Sequence, residues 1–465
     1  MRTDPEVWPQ AVVDLLETAG DRTVFEHGAR AVSGTQMSSL IRRIAAGLRA
    51  DGVRPGDGLL PALGVDPEAF AAVIAAFAVG ARVVACRTDQ FPDVLAEADA
   101  TVLDQHRLTA LLRSPDDGAG LRAAGRPADP ARVIYTSGST GHPKGCVQTY
   151  AAMSAAWAAH PDRWPPAIRD LAGRLGRYLV FGSLTSQVML EYGVLSLAAG
   201  GTLVTASPPG YPAAITRHRA TAGVITVGRL HQLVRDQQTS PSDLSTLQAL
   251  MVSGSPLDPG RLQTALDVLG PVIFHGYGQT ETGMIAMLTP SDMVVADGLR
   301  TVGRPPSAVE LSLRDGELYA RTPAQASSYW KDPAETATVF ADGWIRTRDL
   351  AEFDEQGRLR LVGRARDVIF VHAELVYAGA VERALATHPE VAEAYVVGAP
   401  DDDTGEAVHA FVVPVPGTHP DPETLRALVH GSATPKTLTL IDQVPLTAAG
   451  KPDKPALLTP TGRPA

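Results

Sequence analysis

The sequence is poor in cysteine, in aromatic residues and in positive charge. Cys86 and Cys146 are its two cysteines among 465 residues, which excludes a disulfide framework and a four-thiolate metal site. Its net charge is −10, whereas a nucleic-acid-binding protein typically has an excess of basic residues. Aromatic residues make up 5% of the chain, which argues against a base-stacking platform.

Long hydrophobic runs are also missing. The longest apolar run covers residues 69–81 and ends at Arg82, whereas a membrane-spanning helix needs about 20 residues. The first ten residues contain acids and no apolar segment, unlike a signal peptide. We therefore expect a soluble, cytoplasmic protein with no membrane partner, built from roughly three structural units.

Short apolar segments alternate with helical patterns through most of the chain. Apolar residues at helical spacing predict helices over residues 38–51, 68–81 and 262–269. Strands are predicted at residues 82–86, 133–135, 179–181, 202–206, 224–227 and 250–253. This alternation is typical of largely parallel sheets covered by helices on both faces, so the predicted fold class is α/β.

The pattern changes after about residue 300. Residues 310–320 alternate apolar and polar side chains around Asp315-Gly316, which predicts a hairpin. Residues 352–362 repeat that form around Gln356-Gly357. A further compact unit is predicted from a helix at 381–387 and strands at 394–397 and 408–413. Small antiparallel units should therefore follow the α/β body.

Residues 135–145 read YTSGSTGHPKG and combine glycines, hydroxyl side chains and one lysine, Lys144. Inward-facing backbone N–H groups and hydroxyls could surround phosphate oxygens, with Lys144 adding a positive charge. The segment is not a Walker loop, which requires glycine before the lysine and serine or threonine after it. Here Pro143 precedes Lys144 and Gly145 follows it. A flexible surface turn would have the same composition.

Residues 274–283 read FHGYGQTETG. Glu281 beside Thr280 could hold Mg²⁺ and a phosphate oxygen, because magnesium prefers one or two carboxylates together with substrate phosphates. Tyr277 offers a flat face for a base. The alternative is a β-turn with a solvated glutamate.

Two further segments carry charges near turns. In residues 343–350 (GWIRTRDL), Asp349 could accept from both hydroxyls of a ribose, and Arg364 could meet a phosphate or ribose edge. An exposed charged hairpin is the alternative. Residues 445–454 (PLTAAGKPDK) place Lys451 on a loop near the C-terminus, where a frayed tail is the alternative.

In this order and spacing, the four segments resemble the adenylate-forming enzymes, over nearly the whole chain. This family includes acyl- and aryl-CoA synthetases, firefly luciferase and the adenylation domains of non-ribosomal peptide synthetases. The resemblance implies a large N-terminal domain of αβαβα sheets with a small β-barrel-like subdomain, over residues 1–366. It also implies a small, mobile α+β C-terminal lid over residues 367–465, which rotates about a hinge at Asp367.

The resemblance implies a two-step reaction with ATP and Mg²⁺. A carboxylate attacks the α-phosphate to give an acyl-adenylate and pyrophosphate, and a thiol of CoA or carrier-protein pantetheine then displaces AMP. Lys451 would be the catalytic lysine between the two anions, with Thr280 at the α-phosphate and Glu281 on the metal. The implied nucleotide-binding residues are Thr136, Ser137, Gly138, Ser139, Thr140, Gly141, Lys144, Gly254, Tyr277 (on adenine), Gly278, Asp349 (on the ribose) and Arg364.

Three positions depart from the family pattern. Arg348 stands where a glycine is usual, and the hinge-side turn reads His372-Ala373-Glu374 where Gly-Gly-Glu is usual. In the thioester-forming conformation that turn lines the pantetheine channel. A histidine could narrow the channel, or a small shift of the loop could accommodate it.

The third departure concerns the acid pocket. Ser186 replaces a frequent histidine of acyl-CoA synthetases, and Gln187 replaces an aspartate of amino-acid-activating relatives. A neutral amide cannot pair with an ammonium, so an α-amino acid is disfavoured. The predicted pocket residues are Ser186, Gln187, Gly228, Ser253, His275, Gly276 and Met284. They suggest an apolar acid of modest size, with an aryl or a short-to-medium acyl group. Gln187 or His275 could contact a hydroxyl or amine on its ring.

The leading hypothesis is a free-standing acid–thiol ligase, a monomer or homodimer, that passes its acyl group to CoA. An acyl carrier protein, an amine or an inorganic nitrogen species is the alternative acceptor. A non-catalytic nucleotide-binding sensor is the remote alternative. The presence together of Lys144, Glu281, Asp349 and Lys451 argues against the sensor, since a scaffold needs none of them.

Overall fold

The computed structural model describes residues 7–86, 90–116, 118, 120–137, 143–205, 210–254, 257–372, 374–446 and 452–458. The strands, numbered in chain order, are β1 (Thr23–His27), β2 (Arg30–Ser33), β3 (Gly58–Pro61), β4 (Arg82–Ala85), β5 (Ala100–Leu103), β6 (Pro130–Ser137), β7 (Pro143–Thr149), β8 (Arg177–Val180), β9 (Thr202–Thr205), β10 (Ala222–Thr226), β11 (Ala249–Ser253), β12 (Ile273–Gln279), β13 (Gly283–Leu288), β14 (Glu310–Arg314), β15 (Glu317–Arg321), β16 (Ser328–Tyr329), β17 (Phe340–Ala341), β18 (Trp344–Phe353), β19 (Leu359–Arg364), β20 (Val368–Val371), β21 (Glu374–Tyr377), β22 (Val391–Asp401), β23 (Gly405–Pro414) and β24 (Thr437–Leu440).

The helices precede or follow most of these strands. They are α1 (Gln10–Ala19), α2 (Gly34–Ala50), α3 (Pro67–Ala78), α4 (Phe91–Ala98), α5 (Gln105–Leu111), α6 (Tyr150–Ala155), α7 (Pro166–Ala172), α8 (Gln187–Ala198), α9 (Ala213–His218), α10 (Val227–Thr239), α11 (Pro259–Leu269), α12 (Pro290–Met293), α13 (Pro333–Val339), α14 (Ala378–Leu385) and α15 (Pro422–Arg426). No helix in the described ranges is long and apolar enough to cross a membrane.

Two mixed sheets form the first part of the described chain. One has eight strands in the order β13-β12-β11-β10-β8-β9-β1-β2, parallel from β12 to β1 and antiparallel at both edges. The other has six strands in the order β16-β7-β6-β4-β3-β5, with a parallel part from β6 to β5. The predicted α/β class is therefore confirmed.

Helix α3 explains how the two sheets share one core. Asp66 caps its N-terminus by accepting from the backbone N–H of Ala69, and Pro67 occupies the first turn. Beyond these residues the helix is apolar all round and buried, from Phe70 to Ala78. A helix of that composition has no face for water, so it lies inside the core rather than on it.

Two antiparallel sheets follow in the described chain. Strands β14, β15, β18 and β17 form one, with β19 paired to β18. Strands β21, β20, β23 and β22 form the other, with β24 paired to β23. The second sheet has its own apolar core, which includes Leu385 of α14. A division into residues 1–366 and 367–465 remains a prediction.

Local sequence placed most of these elements correctly. The hairpin predicted around Asp315-Gly316 is present as β14–β15, and both turn residues have positive φ, at 51° and 80°. Lys144 lies on strand β7, because β6 and β7 pair as a hairpin.

Candidate active site

The parallel strands of the eight-stranded sheet bring the predicted segments to one edge. Strands β8, β10, β11 and β12 run in the same direction and end at Val180, Thr226, Ser253 and Gln279. In open α/β sheets, the crevice beyond such carboxyl ends is where ligands bind. Just beyond them lie residues predicted from the sequence: Ser186, Gln187, Gly228, Gly254 and Thr280.

Asp349 is the centre of a compact polar cluster in that region. It lies on β18, is 3% exposed, and both of its carboxylate oxygens are engaged. Tyr277 Oη and Gln279 Nε2 donate to Oδ2 at 2.6 and 2.7 Å. Arg364 Nε lies 2.9 Å from Oδ1. Two segments more than sixty residues apart in sequence therefore meet at one carboxylate.

The position of Tyr277 in this cluster raises the pKa of its hydroxyl. Burial raises the pKa of its hydroxyl well above the usual value, and the nearby Asp349 carboxylate adds to the effect. The tyrosine is therefore a constant hydrogen-bond donor at physiological pH. Gln279 was missed among the site residues, although it lies inside the segment 274–283, because a neutral amide carries no signal of its role there.

Glu335 is the centre of a second polar cluster. Its Oε1 accepts from Lys144 Nζ at 2.7 Å and lies 3.0 Å from Arg348 Nη2. Asp332 holds the start of α13 by accepting from the backbone N–H of Glu335. Burial opposes ionisation of Glu335, yet its pKa is lowered because Lys144 and Arg348 outweigh burial. Glu335 was not among the residues predicted for the site.

Arg348 keeps the backbone geometry of the glycine that is usual at its position. Its φ is 60°, in the left-handed region that non-glycine residues rarely adopt. The pairing of β15 with β18 is irregular between Glu317 and Tyr319, next to this residue. The chain therefore accepts a strained arginine where a glycine would cost nothing, and the guanidinium reaches Glu335.

Glu281 occupies the turn between β12 and β13 and is half-buried. Tyr329 Oη donates to its Oε1 at 2.7 Å. Burial, followed by the Glu281 charge, raises the pKa of Tyr329 far above its usual value. No group of three or more His, Cys, Asp or Glu side chains is placed to hold a metal within the described ranges. Proteins often hold Mg²⁺ with one or two carboxylates together with substrate phosphates, so a metal held by Glu281 stays a prediction.

Helix α8 brings part of the predicted acid pocket to this turn. Ser186 precedes the helix and Gln187 is its first residue. A Cβ atom added at Gly283 would lie 3.5 Å from Gln187 Nε2. A Cβ atom added at Gly276 would lie 3.7 Å from Tyr192 Oη. The N-terminal part of α8 therefore faces the turn that carries Thr280 and Glu281.

Other predicted pocket residues are more scattered. His275 is 5% exposed and, as a neighbour of Gly276 on a strand, lies on the opposite face of β12. Met284 packs against the main core cluster. Gly228 is exposed at the start of α10, and Ser253 is half-buried at the end of β11. Gly254 has a φ of 100° and Gly278 sits within the β12–β13 hairpin.

The phosphate-loop prediction is only partly described. Thr136 pairs with Lys144 across the β6–β7 hairpin, and Ser137 is the last residue of β6. Gly138, Ser139, Thr140, Gly141 and the predicted catalytic Lys451 lie outside the described residues.

The segment after Lys451 is anchored at the predicted hinge. Lys454 Nζ lies 2.7 Å from Glu382 Oε1 and 3.3 Å from Asp367 Oδ2. Burial disfavours the ammonium, but the two carboxylates prevail and raise the pKa of Lys454. Nearby, His372 has a φ of 50° at the β20–β21 turn, so this residue also keeps a backbone angle typical of glycine.

The chain is similar to known proteins over most of its length. The model of the AMP-binding enzyme family matches residues 92–330, and that of the AMP-binding enzyme C-terminal domain matches residues 380–451. A fatty acid–[acyl-carrier-protein] ligase, ScoC of Streptomyces coeruleorubidus, is 33% identical over 70% of this chain and 66% of its own length. A feruloyl-CoA synthase of Amycolatopsis sp is 30% identical over 96% of each chain.

A solved structure is similar over almost its full length. The amide bond synthetase McbA from Marinactinospora thermotolerans superposes with a TM-score of 0.84 and 32% identity, over 96% of this chain and 98% of that one. The chain belongs to the AMP-binding enzyme family, the adenylate-forming ligases that its motifs resemble. The predicted family and the predicted kind of enzyme are therefore confirmed.

Proposed function

We propose that this protein activates a small carboxylic acid with ATP and Mg²⁺ as an acyl-adenylate, then transfers the acyl group to the thiol of CoA. The observation that carries the proposal is the Asp349 cluster, where Tyr277, Gln279 and Arg364 meet one buried carboxylate. Asp349 would accept from the ribose hydroxyls, with Arg364 beside it. Tyr277 would pack on adenine while its hydroxyl holds Asp349 in place.

The phosphates would lie next to Lys144. Its ammonium, together with Thr136 and the loop residues 137–141, would bind the oxygens of the leaving pyrophosphate. Arg348 adds a second cation, since it shares the Glu335 carboxylate with Lys144. Glu335 would then be the partner that both cations exchange for phosphate when ATP binds.

Glu281 would hold Mg²⁺, which neutralises charge on the phosphate oxygens when it is bound. Tyr329 fixes the Glu281 carboxylate through its 2.7 Å hydrogen bond. Thr280, the preceding residue, would contact the α-phosphate. In the first step an oxygen of the acid bonds to the α-phosphorus, and the bond from that phosphorus to pyrophosphate breaks.

Lys451 would offset the repulsion between the acid carboxylate and the α-phosphate as they approach. The anchoring of Lys454 to Asp367 and Glu382 supports this role, because it ties the segment after Lys451 to the predicted hinge. We propose residues 1–366 as the adenylation domain and residues 367–465 as a lid that rotates about Asp367. In the second step the acceptor sulfur bonds to the acyl carbon, AMP leaves, and the thiol proton passes to solvent.

A second acceptor class is supported by specific observations. His372 places a side chain at the turn that lines the pantetheine channel in this family, and McbA is an amide bond synthetase by its description. An amine acceptor would bypass that channel. An acyl carrier protein is the third acceptor, as in the ligase from S. coeruleorubidus.

The test is pyrophosphate release with ATP, Mg²⁺ and a panel of aryl and short-to-medium acyl acids. CoA, a pantetheinylated carrier protein or a primary amine is then added, and AMP release and product are followed. We expect adenylate formation with aryl acids and thioester formation with CoA. Amide without thioester would move the acceptor to amines, and an absence of pyrophosphate with every acid would contradict the proposal.

A further inference from the structure

Residues 322–330 form a segment that touches three of the sheets described above. The segment follows β15 of an antiparallel sheet and ends in β16, which pairs with β7 of the six-stranded sheet. Between these points it crosses the β12–β13 turn of the eight-stranded sheet. Thr322 Oγ1 donates to the backbone oxygen of Thr282 at 2.6 Å, and the Ala326 N–H donates to that of Glu281 at 2.7 Å. The turn that carries Glu281 is therefore held from outside its own hairpin.

Tyr329, near the end of this segment, contacts both charged groups of the proposed phosphate site. Its hydroxyl donates to Glu281 Oε1 at 2.7 Å, and Lys144 Nζ lies 5.7 Å from the centre of its ring. The tyrosine is 8% exposed, and its ring packs edge-on against Phe340 with the ring centroids 5.2 Å apart. Its backbone N–H donates to Thr336 Oγ1 at 3.0 Å. Backbone and ring are both fixed, so Tyr329 can fix the groups that it contacts.

Strand pairing sets the distance between Tyr329 and Lys144. Tyr329 is the Cα partner of Cys146 on β7, and the Trp330 N–H donates to the backbone oxygen of Gly145 at 2.6 Å. Both partners follow Lys144 directly in the chain. The short strand β16 therefore determines how far the lysine lies from the β12–β13 turn.

The two oxygens of the Glu281 carboxylate have different surroundings. Oε1 accepts from Tyr329, whereas Oε2 has no hydrogen-bond or ion-pair partner within the part of the chain that the structure describes. Carboxylates that bind metals in proteins are themselves held by hydrogen bonds from neighbouring groups, which orient them. Oε2 is therefore the oxygen left for a metal, and the tyrosine hydroxyl determines where it points.

Resting on the proposed function, we propose that Tyr329 is a positioning residue for the phosphate step and acts through these two neighbours. Its hydroxyl orients Glu281 so that Oε2 binds Mg²⁺, and its ring holds the Lys144 ammonium beside the same phosphates. Tyr329 itself needs no contact with the nucleotide. A merely structural tyrosine would affect ATP binding equally with and without metal, whereas a positioning tyrosine changes the contribution of the metal.

The experiment measures ATP binding to the full chain by isothermal titration calorimetry, once with saturating Mg²⁺ and once with EDTA. The readout is the ratio of the dissociation constant in EDTA to that in Mg²⁺, in which losses common to both conditions cancel. Tyr329→Phe removes the hydroxyl and keeps the ring against Phe340, so this variant should fold. We expect the ratio to fall by about tenfold or more, with the dissociation constant in EDTA unchanged.

Two further variants separate the two contacts. Tyr329→Leu also removes the ring, so it should lower the ratio and raise the dissociation constant in EDTA by about two- to fivefold, because the contact of Lys144 with phosphate needs no metal. Tyr395→Phe is the matched control. Tyr395 Oη donates to Glu393 Oε2 at the same distance of 2.7 Å, on strand β22. Its loss should leave both dissociation constants unchanged.

Each outcome decides a separate point. A ratio for Tyr329→Phe equal to that of the wild type, or an equal fall for Tyr395→Phe, would overturn this inference and leave the proposed function standing. An unchanged dissociation constant of Tyr329→Leu in EDTA would overturn the part that concerns Lys144. If the wild type binds no ATP under either condition, the proposed function fails and this inference fails with it.

Discussion

Two carboxylates border the proposed nucleotide site, and they are held in different ways. Asp349 is 3% exposed and lies between donors on strands β12 and β19. The Glu335 side chain is 19% exposed and is bound by two long cationic side chains, those of Lys144 and Arg348. Both clusters draw on paired strands, but two of the three donors to Asp349 are the shorter side chains of Tyr277 and Gln279. Glu335 is held only by long lysine and arginine side chains, which can change partner.

This difference separates two tasks of a nucleotide site. A ribose is neutral and keeps one shape, so a preformed acceptor such as Asp349 suits it. Phosphates carry charge that changes when pyrophosphate leaves, so cations that exchange between Glu335 and phosphate suit them. The comparison predicts that changes at Asp349 act on binding and stability together, while changes around Glu335 act mainly on the phosphate step.

The largest expected effect follows from Asp349→Ala. Removing the carboxylate deletes the ribose acceptor and leaves the Tyr277 hydroxyl without its acceptor, whereas Gln279 Nε2 keeps the backbone oxygen of Thr347. We expect kcat/KM for ATP to fall by about 10²–10³-fold, and the free energy of unfolding to fall by about 1–3 kcal/mol. The measurements are ATP-dependent pyrophosphate release and urea unfolding.

The matched control for that variant is Glu352→Gln, on the same strand but exposed. It should change neither quantity, because exposed ion pairs contribute little. An Asp349→Ala protein with unchanged kcat/KM for ATP would contradict the ribose assignment and remove the basis of the comparison.

The next effect is that of Lys144→Met. Its ammonium is proposed to stabilise the leaving pyrophosphate, so we expect kcat for adenylation to fall by about 10–100-fold. Stability should change little, because Glu335 keeps Arg348 as a partner. Quenched single-turnover measurement of adenylate formation isolates this step. A loss of stability as large as that of Asp349→Ala would show that the two clusters do not differ as we argue.

A smaller effect is expected for Arg348→Gly. Glycine fits the backbone φ of 60° without strain, so stability should remain within about 1 kcal/mol of the wild type. Loss of the second cation should raise KM for ATP by about three- to tenfold and weaken inhibition by pyrophosphate similarly. Asp315→Gly makes the same conformational change in an exposed turn with a φ of 51° and is the matched control. If both variants raised KM for ATP equally, the increase would come from the change in backbone flexibility and not from the lost arginine side chain.

The sequence predicted the parts of these clusters that local patterns encode. Asp315-Gly316 carries a turn signal within four residues, and the spacing of apolar residues marked α3. Asp349 and Tyr277 were found because each lies in a segment of strong family resemblance. The pairing of Lys144 with Glu335 was not predicted, because 191 residues separate them and an exposed-looking glutamate in a helix carries no sign of its partner.

Glu191 of helix α8 accepts a hydrogen bond from Gln187 Nε2 and lies 4.0 Å from Arg132 Nη2, and it shows the same limit in another form. Its distance of four residues from Gln187 is the spacing at which helical side chains meet, so that contact was accessible from sequence. Its approach to Arg132 was not, because Arg132 comes from a strand of the other sheet. The left-handed φ of Arg348 could be anticipated from the glycine usual there, but the direction of its side chain depends on where α13 packs.

The smallest effect expected is a pH dependence at Glu335. The pKa of this carboxyl is lowered because Lys144 and Arg348 outweigh its burial. A carboxyl with a lowered folded-state pKa stabilises the protein fully at neutral pH, and that stabilisation is lost as the pH falls through the lowered value. The melting temperatures of the wild type and of Glu335→Gln should therefore differ most near neutral pH and converge in acid.

Nucleotide should reduce this difference, which provides the sharpest test of the comparison. If Lys144 and Arg348 exchange Glu335 for phosphate, a non-hydrolysable ATP analogue with Mg²⁺ will shrink the gap between wild type and Glu335→Gln at neutral pH. The effect of Asp349→Ala should instead grow with the analogue present, because only the wild type then gains the ribose contacts. A gap at Glu335 that is unchanged by the analogue would mean that its cations stay in place when ATP binds. The second cluster would then be as fixed as the first.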